Sequence, residues 1–157
     1  MDFLLSLWNN TVLVCAAAGW ALAQIIKTVL YACISKSFKA ERLVGAGGMP
    51  SSHSATVCAM ATAAAISYGL GSFEFAISAI VAFIAMYDAM GVRRETGNQA
   101  QVLNKMLESF QRMSDENLSD EEKLKEFIGH TPLQVLAGAI LGILVAFGVT
   151  LLRGQLI

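Results

Sequence analysis

The chain of 157 residues contains two histidines, and each stands in a polar stretch written like the start of a helix. The first stretch is Gly47-Gly48-Met49-Pro50-Ser51-Ser52-His53-Ser54 and the second is Gly129-His130-Thr131-Pro132. An imidazole moves a proton near neutral pH and can also act as a nucleophile. Pro50 has the φ that a first helical turn needs, and Ser51 or Ser52 can cap the helix that follows. The glycines let backbone approach a ligand closely. Free N–H groups at a helix start, with the positive end of the dipole, make an anion site. Other groups of the right chemistry are Lys27 in an apolar run, the basic residues Arg42, Arg93 and Arg94, and Asp88 in Tyr87-Asp88-Ala89-Met90-Gly91-Val92-Arg93-Arg94. The plainer alternative for the first stretch is a loop that only caps a membrane helix.

The elements that must position these groups are membrane helices. Apolar residues make up 55% of the chain and charged residues 15%, against about 25% charged in an ordinary soluble domain. Four apolar runs, at about 11–34, 52–68, 73–90 and 133–152, read as spans, because about 20 helical residues cross a bilayer core. Lys27 lies inside the first span, where Gln24, Lys27 and Tyr31 share a face. An intramembrane charge is a functional candidate; the alternative is that Lys27 snorkels to the near interface. The second span is rich in Ala, Ser and Thr, which suits close helix contact more than lipid, and Gly138 and Gly142 form a small-xxx-small pair in the last. Residues of about 97–128 are polar enough to lie outside the membrane. Val102, Leu103, Met106, Leu107, Phe110 and Met113 recur there at helical spacing. They predict an amphipathic helix, packed on the bundle or lying at the interface, broken at Ser114-Asp115-Glu116-Asn117. Ser119 with Glu122 predicts a second, short helix ending at Gly129. Thr131-Pro132 reads as a cap with a proline at the first helical position.

The fold class is therefore all-α, a polytopic membrane bundle of about four transmembrane helices with one or two amphipathic or extramembrane helices, in a single membrane domain over 1–157. Asp2 stands where a basic n-region would open a signal peptide, which argues against a cleaved one. Three of the eleven Lys and Arg residues fall in loop 35–50 and six in loop 91–130. The positive-inside rule then predicts both loops on the cytoplasmic side of the inner or plasma membrane, and both histidines with them. The net charge of −1 gives no electrostatic case for nucleic acid. Cys15, Cys33 and Cys58 read as small apolar residues. No metal-ligand spacing and no cofactor loop is present, so neither a metal nor a cofactor is expected.

Pro50-Ser51-Ser52-His53 resembles the Pro-Ser-Gly-His motif of the type-2 phosphatidic acid phosphatase and vanadium haloperoxidase superfamily. Gly129-His130-Thr131-Pro132 resembles that superfamily's last motif, a His leading into a membrane helix. Together with Tyr87-Asp88-Ala89-Met90-Gly91-Val92-Arg93-Arg94, they resemble its divergent branch of small membrane proteins, from about Gln24 to Gly142. The resemblance implies metal-free hydrolysis of a lipid phosphate, such as an isoprenoid phosphate or diphosphate, with His130 as the nucleophile and His53 as the general acid. Ser51, the amide of Ser52 and the cations Lys27, Arg42, Arg93 and Arg94 would hold the phosphate oxygens. The chain departs from the superfamily in three places. The first motif, Lys, six residues, then Arg-Pro, is missing, and Lys27 or Arg42 is left to stand in. Leu124 occupies the position of an Arg. Gln134 occupies that of an Asp that orients the nucleophile, and Asp88 could supply the charge from a neighbouring helix. A second reading is a non-catalytic protein that binds or transports a lipid phosphate at the same site; a third is a scaffold. Four spans are fewer than the superfamily's usual six-helix bundle. Either the stretch 98–113 completes the bundle or a second chain does, and a homodimer is expected.

Overall fold

A computed structural model of the chain describes residues 2–36, 48–114 and 129–155, with backbone alone at Arg93 and 111–114. Among these residues the secondary structure is all helical: α1 (Asp2–Asn9), α2 (Thr11–Ser35), α3 (Ser52–Tyr68), α4 (Phe73–Met90), α5 (Val92–Ser114) and α6 (Pro132–Leu152). The boundaries follow local chemistry. Side-chain oxygens of Asn10, Ser51, Ser72 and Thr131 accept from the backbone N–H of Leu13, Ser54, Phe75 and Gln134, which supplies partners that the first helical turn lacks. Gly69, at φ 86°, ends α3 in a conformation that a side chain would resist.

The smallest side chains set the packing. α3 is the central helix, in contact with α2, α4 and α6. A Cβ on Gly19 of α2 would stand 2.9 Å from the Ala55 carbonyl oxygen, and one on Gly142 of α6 would overlap that same oxygen. Gly138 lies as tightly on the Ser51 carbonyl. α3 is therefore gripped on two sides by backbone-to-backbone contact, which is how helices associate where lipid removes the hydrophobic drive. Cys15, Ala59, Ala63 and Ala146 form the buried centre, with Val12 and Val149 against it. The α3–α4 contact includes the Cys58 thiol donating to Met86 Sδ at 3.7 Å. α6 runs parallel to α3, whereas α2 and α4 run antiparallel to it, so the ends of α2 and α4 and the starts of α3 and α6 share one level.

Large apolar side chains point the other way. Ile25 and Val29 on α2, Ile80 and Phe83 on α4, and Leu144 and Phe147 on α6 are all exposed, whereas the buried set is mostly Ala, Ser, Thr and Gly. In water this arrangement would be upside down; in lipid it is the stable one. The fold is thus a helical membrane bundle. Among the described residues, three apolar segments are long enough to cross a bilayer, one each starting at Thr11, Phe73 and Pro132. α3, with 17 residues, spans only about 25 Å and is shielded by its neighbours.

Several details differ from the sequence expectation. Pro50 is not in the first helical turn. It precedes the cap, Ser51, and follows Met49 through a cis peptide bond. Residues 2–9 form a helix of their own, tied to the far end of α6. There Arg153 donates from Nη2 to the Trp8 carbonyl at 2.7 Å and from Nη1 to Thr11 Oγ1 at 3.3 Å. The amphipathic helix starts at Val92 instead of about 97, directly after Gly91, whose ψ of −89° ends α4. The expected short helix after Ser119 lies outside the described residues, as does Arg42.

Candidate functional site

The site lies where α3 and α6 begin. Thr131 and Gln134 form a capping box: Thr131 Oγ1 accepts from the Gln134 amide at 3.4 Å, and Gln134 Oε1 accepts from the Thr131 amide at 3.1 Å. Since an amide N–H must face an oxygen, the Thr131 bond fixes which end of the Gln134 side chain is the carbonyl. That same Oε1 lies 3.2 Å from His130 Nδ1. An acceptor facing Nδ1 requires the ring proton there in a neutral imidazole, so the lone pair is on Nε2. Gln134, which closes the capping box of α6, therefore also selects the tautomer of His130. The Ser/Thr-x-x-Gln spacing that signals the box is present as Thr131-Pro132-Leu133-Gln134, whereas the family resemblance marks Gln134 only as a replaced acid.

Two backbone bonds lock this unit to the rest of the bundle. The His130 amide donates to the Ala89 carbonyl at the end of α4 (3.1 Å), and the Ser51 amide donates to the Gln134 carbonyl (3.0 Å). Ser51 is fully buried, and its Oγ accepts from the Ser54 amide at 3.4 Å and from the Ser54 hydroxyl at 3.0 Å. Its amide and its oxygen are thus engaged in joining α3 to α6 and closing the α3 cap. The buried Ser54, which ends the first polar stretch, is a partner to which the motif assigns no role.

These bonds bring the two histidines together. His53 and His130 have ring centroids 6.3 Å apart at an interplanar angle of 59°. His130 is 5% exposed whereas His53 is open to the surface. At this separation one small polar group can lie against both rings. Ser52 and His53 occupy the first turn of α3, whose amides have no carbonyl within their own helix.

α2 supplies the third wall. Lys27 is 4% exposed and its stem lies along Gly48, where a Cβ would come within 3.1 Å of both Cγ and Cδ. It does not extend outward as the snorkelling alternative would have it. One turn earlier, Gln24 is 5% exposed and its Oε1 is buried with no hydrogen-bond partner among the described residues. Tyr31, on the same face, is half-buried. Asp88 is half-buried and immediately precedes the carbonyl that holds His130. Arg94 is exposed on the first turn of α5, and the Arg93 side chain, like Arg42, lies outside the described residues. The structure thus joins His53, His130, Gln134 and Ser51 by direct contacts. It brings Lys27 in through Gly48 and Asp88 through Ala89. A cavity of about 430 Å³ lined by Met60, Ala64, Tyr68, Phe73 and Ile77 lies at the opposite end of the bundle and has no part in this cluster.

An all-helical membrane bundle with paired histidines at the starts of two parallel helices is the class that fold and site define. The chain belongs to the Divergent PAP2 family, whose sequence profile matches residues 8–145. It is 40% identical over 148 residues to the "Uncharacterized membrane protein YuiD" of Bacillus subtilis (strain 168), covering 89% of this chain and 94% of that one. No solved structure matches it.

Proposed function

We propose that the protein is a lipid-phosphate phosphatase that works through a phosphohistidine at His130. The observation that carries this reading is the pairing of His53 and His130 at 6.3 Å, with Gln134 holding the His130 lone pair on Nε2. Nε2 of His130 attacks phosphorus; the P–N bond forms as the P–O bond to the lipid breaks, and protonated His53 gives its proton to the departing lipid oxygen. Water then attacks phosphorus with His53 taking its proton, the P–N bond breaks, and inorganic phosphate leaves. The split into two displacements is the gain of a covalent nucleophile. Charge on the phosphate oxygens is offset by the Ser52 and His53 amides, by Lys27, by Arg42, and by Arg93 and Arg94 at the start of α5. Arginine suits that task through its fork geometry, and stabilising developing charge commonly lowers the barrier more than any other single effect. Ser51 serves as a positioning residue and Asp88 as a charge near the nucleophile. An isoprenoid phosphate or diphosphate is the substrate class. The site faces the cytoplasm from the inner membrane, and the protein works as a homodimer, which crosslinking in native membranes tests.

One observation favours a second reading, binding or transport of a lipid phosphate without turnover. The group on His130 Nδ1 is a neutral amide, which orients the ring but does not stabilise its cation. Purified protein assayed for phosphate release from vesicles carrying lipid phosphates separates the two. Release blocked by orthovanadate and lost in His130→Gln supports the phosphatase. No release, with thermal stability still raised by vanadate, supports binding alone. Neither release nor stabilisation overturns both.

A further inference from the structure

The pattern of burial on α5 is that of the membrane helices, although the sequence of α5 is polar. Its described contacts with other helices are with α4 alone, which it follows after the single residue Gly91. At about 100° per residue, Val102, Leu103, Met106 and Phe110 fall on one arc of the helix. They are 52%, 48%, 54% and 68% exposed. Gly97 and Asn104 sit on the opposite side and are buried. Glu95 and Gln99 occupy the apolar side nearer α4, so the apolar surface belongs to the C-terminal half. An amphipathic helix of a water-soluble domain turns its large apolar residues inward. Here a glycine and an asparagine are covered, and Leu, Met and Phe face out. That is the same inversion seen on α2, α4 and α6, where lipid is the solvent. Exposed Lys105 and Arg94 flank the apolar arc, where cations meet anionic headgroups.

We propose that α5 is an in-plane membrane helix. Its C-terminal half lies at the boundary of headgroups and acyl chains, in the leaflet on the side of His53 and His130. The occupant of its apolar face is lipid, not a second copy of the chain. The helix thereby fixes the end of α4, whose Ala89 carbonyl holds His130, at the depth of a lipid headgroup. The site then receives its ligand sideways from the leaflet.

Spin labels placed one at a time by cysteine substitution test this in vesicles of phosphatidylcholine with phosphatidylglycerol. A Cys33→Ser background serves, since Cys15 and Cys58 are buried. At positions 102, 106 and 110, collision with oxygen should exceed collision with a water-soluble nickel complex several-fold. At 101 and 105 the order should reverse. Access of the nickel complex to 106 and 110 would overturn the proposal. So would protection of these sites from both probes that fades as protein is diluted in lipid, because a second copy would then cover the face. The readout is depth and not turnover, so it stands whether or not the phosphatase reading does.

Discussion

Replacing Gln134 by methionine removes one oxygen that serves two structures. Oε1 accepts both from the Thr131 amide, closing the α6 capping box, and from His130 Nδ1. A neutral hydrogen bond is worth about 0.5–1.5 kcal/mol net, so its loss should shift the tautomer ratio of His130 by roughly two- to thirteenfold toward the Nε2–H form. The released Nδ1–H belongs to a side chain 5% exposed, and leaving it unpaired costs on the order of 1–3 kcal/mol. Nitrogen NMR of protein labelled only at histidine reads the tautomer directly, and with two histidines in the chain a His53→Gln variant completes the assignment. The wild type, at a pH where both rings are neutral, should show a protonated Nδ1 and an unprotonated Nε2 at His130. Gln134→Met should move toward the reverse, and Gln134→Glu, which keeps both acceptor roles, should not. A wild-type spectrum with the proton on Nε2 of His130, or one unchanged in Gln134→Met, would refute the claim that this cap sets the nucleophile.

Three further outcomes rest on the packing. Gly138→Ala drives a Cβ onto the Ser51 carbonyl and should lower stability by about 1–3 kcal/mol, read as a fall in Tm in detergent. Gly148→Ala in the same helix meets nothing within 4 Å and should leave Tm nearly unchanged, so equal effects would refute the contact. Gln24→Leu removes a buried acceptor that has no partner among the described residues and should raise the stability of the empty protein by about 1–3 kcal/mol; a fall in Tm would mean that the oxygen is satisfied. Arg153→Ala releases the Trp8 carbonyl and Thr11 hydroxyl and should cost on the order of 1 kcal/mol. Faster amide exchange confined to residues 2–14 is the expected sign.

Much of the bundle is legible in the sequence because each apolar run is bounded by residues with one strong local preference. Asn10, Ser51, Ser72 and Thr131 cap, Gly69 and Gly91 stop, and the runs between them have little alternative to a helix in lipid. The small residues of α3, Gly138 and Gly142 likewise announce close contact. The site is legible as two histidines at two helix starts, since topology alone puts them on one level. What the sequence cannot supply is side-chain choice at equal spacing. Lys27 could snorkel or turn inward, and burial against Gly48 decides it. Gln134 reads in the sequence as a lost acid, and in the structure it also closes the capping box of Thr131, because the Thr131 amide lies within its reach. Pro50 fits both a first turn and the residue before a cap, and Ser51 takes the cap because its amide also has an acceptor in the Gln134 carbonyl.

The central claim is that His130 carries the phosphoryl group while His53 serves the same phosphate. Brief reaction with a lipid phosphate labelled in its phosphoryl group, followed by denaturation, tests it most directly. The account predicts label on the protein that survives alkali and is lost in acid, maps to the peptide containing His130, and is absent from His130→Gln. Phosphate release that continues in His130→Gln, with no label on the wild-type chain, would contradict it.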